Sequence, residues 1–118
     1  MAAGVYHILI EAGAKFERQI AVLEADGITP RNLSGYTARM QVRETRQSAT
    51  KILDLASTGL TPKITVTGAQ GLIDIALTAT DTAALDFESA EYDLEIVNGT
   101  EVERLLEGNV RLSKEVTR

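Results

Sequence analysis

The chain contains no cysteine, which excludes disulfides and thiolate metal ligation and leaves packing alone to hold the fold. Tryptophan is also absent, and aromatic residues amount to three Tyr and two Phe. A core must therefore be assembled from Val, Ile, Leu and Ala, which suits a thin sandwich better than a cavity walled by rings. One histidine, His7, is too few for the usual zinc constellations. No apolar run approaches the roughly 20 residues that span a bilayer. The opening Met1-Ala2-Ala3-Gly4 lacks the basic, apolar and small-residue sections of a secretion signal. The expectation is synthesis in the cytoplasm with no membrane partner. Basic charge is in deficit, 12 Lys and Arg against 17 Asp and Glu for a net charge of -5. A general binder of phosphate backbones needs a basic face, so no nucleic-acid partner is expected.

What the chain does have is alternation. Tyr92, Leu94 and Ile96 take turns with Asp93 and Glu95, the period-2 pattern of a strand with one buried face. Asn98-Gly99 then offers a type I′ hairpin turn. Beyond it Val102, Leu106, Val110 and Leu112 share one parity, against Glu101, Glu103, Glu107 and Arg111. Working back, strands are predicted over 5–11, 15–23, 36–44, 51–55, 64–66 and 72–77. Tyr6, Ile8 and Ile10 share one face of the first; Phe16, Ile20 and Val22 share a parity on the second, with Arg18 as the exception; Tyr36, Ala38, Met40 and Val42 face in on the third, and Ile73, Ile75 and Leu77 on the sixth. Residues 24–35 read as loop, turned by Asp26-Gly27 and Pro30. Residues 78–85 read as one helical turn with Thr80 at its N-cap. The sum is a single all-β domain over residues 1–118, an antiparallel sandwich or barrel of about eight strands with one short helical turn.

No reaction centre emerges. His7 has no nucleophile-bearing motif to pair with, and on the polar parity of an edge strand it reads as a solvated side chain. Asp81, Asp86 and Glu88 cluster about the helical turn without the spacing of a calcium loop. Gly68-Ala69-Gln70-Gly71 lacks the lysine and spacing of a phosphate cradle. The expectation is a protein without catalytic residues, metal or cofactor. Arg39, Arg43 and Arg46 form a basic stripe on the outward side of the third strand. Such charges either guard an exposed strand edge or meet the acidic face of a neighbouring subunit. The tail from Lys114 to Arg118 is read as frayed or as the start of an inter-subunit contact.

Asn32-Leu33-Ser34-Gly35-Tyr36-Thr37 resembles a signature of small tailed-bacteriophage virion proteins, found also in the N-terminal domain of phage baseplate upper proteins. The stretches Ala79 to Leu85, Ala90 to Glu95 and Arg104 to Arg118, with Leu105-Leu106-Glu107-Gly108 inside the last, look like the same group. The resemblance covers most of the chain and implies an immunoglobulin-like or related β-sandwich. Leu33 would then plug the core before a turn at Gly35, and Tyr36 would begin a strand. It also implies a structural role in the virion as a tail, baseplate or fibre-attachment protein. Partners would be other virion proteins and further copies of the chain in a symmetric assembly. Arg39, Arg43, Arg46, Lys114 and Arg118 are the expected contact residues. Capsid decoration or a head fibre is the alternative within that reading. A carbohydrate-binding adhesin is the alternative outside it, with Phe87 and Tyr92 as the nearest pair of rings.

Overall fold

The computed structural model describes residues 3–117. Among the described residues, nine strands build two stacked sheets. The larger contains β1 (Gly4–Val5), β2 (Ile8–Glu11), β4 (Thr37–Arg43), β5 (Lys51–Ala56), β8 (Ser89–Asn98) and β9 (Glu101–Ser113). Its order runs β9-β8-β4-β5, with β1 and β2 both alongside β9. The smaller is β3 (Phe16–Ala21), β7 (Leu72–Leu77) and β6 (Ile64–Thr67), with β7 in the middle. The chain crosses between sheets after β2, β3, β5 and β7. Two packed sheets linked in this way form an immunoglobulin-like β-sandwich.

Alternation explains why these segments are strands and which face each buries. Ala38, Met40 and Val42 of β4, Ala90, Tyr92, Leu94 and Ile96 of β8, and Val110 and Leu112 of β9 are all buried. They meet Phe16, Ile64, Ile73, Ile75 and Leu77 from the smaller sheet. Leu33, from the loop before β4, is fully buried among them. Gly35 follows at φ 85, and the Tyr36 N–H donates to the Leu33 carbonyl at 3.0 Å. This is a type II turn, whose third position requires positive φ.

Several local expectations need correction. The first strand joins β9 in parallel, not antiparallel, and it is interrupted at Tyr6–His7 although the register is the same on both sides. There Gly108 approaches the Tyr6 carbonyl too closely for any side chain. That carbonyl accepts from the Tyr92 hydroxyl at 2.6 Å, and the Asn109 N–H is taken up by Nδ1 of His7 at 3.1 Å. Two side chains thus replace the missing ladder bonds. His7, expected to be merely solvated, is exposed yet mends the strand.

In the hairpin, Asn98 pairs with Glu101, so the turn residues are Gly99 and Thr100. Only Gly99 has positive φ, the type II′ pattern rather than I′. A β-bulge at Leu105 shifts the register between β8 and β9 and inverts the parity beyond it. Val102 therefore pairs with outward Val97 and is 51% exposed, not buried as alternation suggests. Glu103 instead lies opposite inward-facing Ile96.

The helical turn, α1 (Ala79–Ala83), is capped by Thr78 rather than Thr80. Thr78 Oγ1 accepts from the Asp81 N–H, and the Asp81 carboxylate accepts from the Thr78 N–H. This reciprocal pair fixes the start of the helix. Thr82 then projects inward with no exposed surface. Its hydroxyl accepts from the Gly13 N–H at 3.0 Å and donates to the Ala14 carbonyl at 2.8 Å, pinning α1 to the β2–β3 turn. Thr82→Val keeps the shape but strands both backbone groups. It should lower unfolding free energy by about 2 kcal/mol in urea titration.

Candidate interaction face

The outward side of the larger sheet collects the charged parity of β4, β8 and β9. β4 lies between β8 and β5, so the reading of Arg39 and Arg43 as guards of an exposed edge does not hold. Cross-strand register sets Arg39 opposite Glu95, Gln41 opposite Asp93 and Arg43 opposite Glu91. A basic column on β4 thus meets an acidic column on β8, the arrangement in which opposed charges stabilise a pair of strands.

The contacts follow this arrangement. Arg39 Nε lies 2.8 Å from Glu95 Oε1. Arg46, in the loop after β4, reaches Glu91 at 3.3 Å and Glu107 at 3.4 Å. Arg104 of β9 completes the pattern with Asp93 at 3.5 Å and Glu107 at 3.2 Å. Arg43 donates to the Ser48 carbonyl and to Gln41 Oε1. A shallow hollow of about 260 Å³ lies between these side chains. The structure therefore brings Arg39, Arg43 and Arg46 together, as one part of a mixed-sign lattice rather than a free basic patch. Lys114 lies apart, paired with Asp86 at 3.2 Å. Arg118 lies outside the described residues.

A second electrostatic cluster had no sequence signal. Arg31, from the loop before β4, forks onto both oxygens of Glu103 at 2.9 Å, and its guanidinium stands 5.6 Å from the Tyr36 ring centre. Planar, bidentate geometry makes this the strongest kind of exposed ion pair. The hydrogen bond from Arg31 holds the Glu103 carboxyl below its usual range, and the reciprocal bond raises Arg31. A depressed carboxyl contributes stability that is present above its unfolded value, about 4.3, and lost as pH falls through the lower folded value. Glu103→Gln should therefore cost roughly 1 kcal/mol at pH 7. That difference from the parent should hold down to about pH 5 and vanish in strong acid, as read by denaturation at a series of pH values.

Asp81, the centre of the acidic cluster, is held low by Lys63 at 2.8 Å and by its capping bonds. Among the described residues no group of three or more His, Asp or Glu is placed to hold a metal ion. Tyr92 is 3% exposed, and burial pushes its phenol up to about 12. Phe87 packs against the core. The two rings proposed for sugar stacking thus make no open platform. Gly68–Gln70 forms a single 3-10 turn that receives the Leu33 N–H at the Gly68 carbonyl.

Sheet order and packing define the class as an immunoglobulin-like β-sandwich. No protein-family model and no curated protein sequence matches the chain. Among solved structures, the fold is similar to a chain from photo-crosslinking analyses of multimeric cell-adhesive interactions of VGSC beta subunits. That match has 12% identity and a TM-score of 0.50, covering 99% of this chain and 98% of the other. Tim-1 aligns over 100% of this chain and 99% of its own at 10% identity and TM-score 0.45. The N-terminal four Ig domains of Dscam1 isoform 4.44 align at 12% identity and TM-score 0.44, over 95% of this chain and 23% of that one. At such identities the likeness to the VGSC beta chain defines a fold and nothing further.

Proposed function

We propose that the protein is a non-enzymatic structural component of a tailed-phage virion. It docks through protein–protein contacts as a tail, baseplate or fibre-attachment part. The observation that carries the reading is the outward face of the larger sheet. It is a broad surface across β4, β8 and β9 on which Arg39, Arg46, Arg104, Glu91, Asp93 and Glu95 form an ordered lattice of alternating sign. Such a lattice favours one orientation of a partner over its slipped alternatives, because a shift of one row sets like charges against each other. The resemblance to phage virion proteins supports the same reading. Its signature residues perform local tasks here: Leu33 fills the core, Gly35 supplies the positive φ, and Gly108 lets the first strand approach.

Mass spectrometry of purified particles tests the reading. The polypeptide should be present at constant stoichiometry to the tail proteins, and particles that lack it would refute the assignment. Reversing Arg39 and Arg46 to Glu together should reduce incorporation while the isolated domain keeps its β-type circular dichroism.

A further inference from the structure

The two sheets leave four outer strand edges, and two of them carry charge within the strand while a third is flanked by it. β5 bears Lys51 and Asp54. β3 bears Glu17 and, pointing inward, Arg18, whose guanidinium lies 5.2 Å from the Phe16 ring centre and 5.8 Å from that of Tyr6. β6 has no charged residue of its own but follows directly on Lys63. These are the usual devices against stray strand pairing. The remaining edge, β1 with β2, carries no Asp, Glu, Lys or Arg until Glu11 at its very end. It exposes 68% of Val5 and 54% of Leu9.

The backbone of this edge is set for a partner. The Tyr6 and Ala12 N–H groups both donate to β9, to the carbonyls of Glu107 and Ser113 at 2.9 Å. Even-numbered residues thus turn their backbone groups inward along β9. His7 and Leu9 turn both of theirs toward the open side, and Glu11 its N–H, while the Glu11 carbonyl also accepts from the Ala14 N–H at 3.2 Å in the turn that follows. The side chains of these three also share the outward face of the sheet, while Ile8 and Ile10 are buried. His7 Nδ1 accepts from the Asn109 N–H, so the proton of the neutral ring sits on Nε2 and is free to donate. Glu11 has no ion-pair or hydrogen-bond partner for its carboxylate among the described residues.

We propose that this edge pairs antiparallel with the same edge of a second copy of the chain, about a two-fold axis at Leu9. Leu9 then exchanges both backbone bonds with Leu9 of the second copy. His7 faces Glu11 of that copy, and Glu11 faces its His7. The axis at Leu9 is selected over neighbouring registers because moving it by one residue in either direction sets His7 or Glu11 against an apolar or like side chain. An isologous contact requires such self-complementarity, and the edge supplies it in backbone phase, in facing and in charge. The result is one continuous sheet running through both subunits. It leaves the charged lattice free on the same side of each, and it does not depend on where the protein works.

Sedimentation equilibrium of the full chain should show a reversible dimer. Glu11→Lys, which sets a cation opposite His7, should weaken it by at least about tenfold. The absence of native cysteine allows a second test that does not depend on affinity. Leu9→Cys should form an inter-chain disulfide under a mild oxidant, since Cα atoms of a hydrogen-bonded antiparallel pair lie about 5.5 Å apart. Leu60→Cys, on a loop residue that is fully exposed, should not. A protein that stays monomeric at about 100 μM overturns the proposal. So does a dimer indifferent to Glu11→Lys, or cross-linking at position 60 as fast as at position 9.

Discussion

Replacing Gly108 by alanine should unfasten the N-terminal strand and cost about 3 kcal/mol of stability. The added methyl would overlap the Tyr6 carbonyl and sit 3.0 Å from the Tyr6 carbonyl carbon and 3.2 Å from His7 Nδ1. Two of these are backbone atoms, which cannot swing aside as a side chain can. Relief requires β1 and β2 to back away from β9, and both repairs at the break go with them. The Tyr92 hydroxyl loses the Tyr6 carbonyl, and the Asn109 N–H loses the imidazole. Hydrogen exchange should report the change locally, with protection lost over Ile8 to Glu11 before it is lost on β4 or β8. A variant whose β2 amides stay as slow as the parent's would show that the close approach is dispensable.

Leu33→Ala should be nearly as costly, at about 3 kcal/mol by chemical denaturation. The residue sits in a loop, yet it is fully buried. Its surroundings have little freedom to collapse. Its own N–H and carbonyl are held by Gly68 and Tyr36 at 2.7 and 3.0 Å, and the Ser34 N–H is held by Asn32 Oδ1 at 2.9 Å. At Gly68 a side chain would come within 2.9 Å of the Ser34 backbone. A cavity bounded by fixed backbone stays open, which places the substitution well within the range for buried leucines. Ile28→Ala, in the same loop but 81% exposed, should change stability by less than about 0.5 kcal/mol. Equal costs at the two positions would refute the assignment of Leu33 to the core.

The strands were legible because one face of each is buried, and burial on a pleated chain writes a period of two. Met40, Leu94 and Ile75 could be placed inward from spacing alone. Errors arose where the pleat is interrupted. The doublet Leu105-Leu106 was the available sign that alternation fails there, since one face cannot take both residues, and past the bulge Val102 and Glu103 exchange roles. The interruption at Tyr6–His7 left no such sign, because the glycine that faces it, Gly108, lies about a hundred positions away in the chain. Position within a sheet is likewise invisible to local pattern. Arg39 and Arg43 alternate as well on a central strand as on an edge, and only the strand order shows that their neighbours are acidic. The Arg31–Glu103 pair joins residues 72 apart through a loop with no periodicity. Helix capping was misplaced by two residues because Thr78 and Thr80 are equally good caps in isolation. Only Thr78 has an acid three positions on.

Parallel attachment of the first strand to the last has a mechanical consequence. β1 begins beside Leu106, and β2 ends beside Ser113. Tension applied between the two ends of the chain would therefore run along these strands in opposite senses. The backbone bonds joining them would be sheared together instead of being opened singly from one end. A domain strung in series within a loaded filament would resist extension at this clamp, and its grip would depend on how well Tyr92 and His7 bridge the gap in the middle.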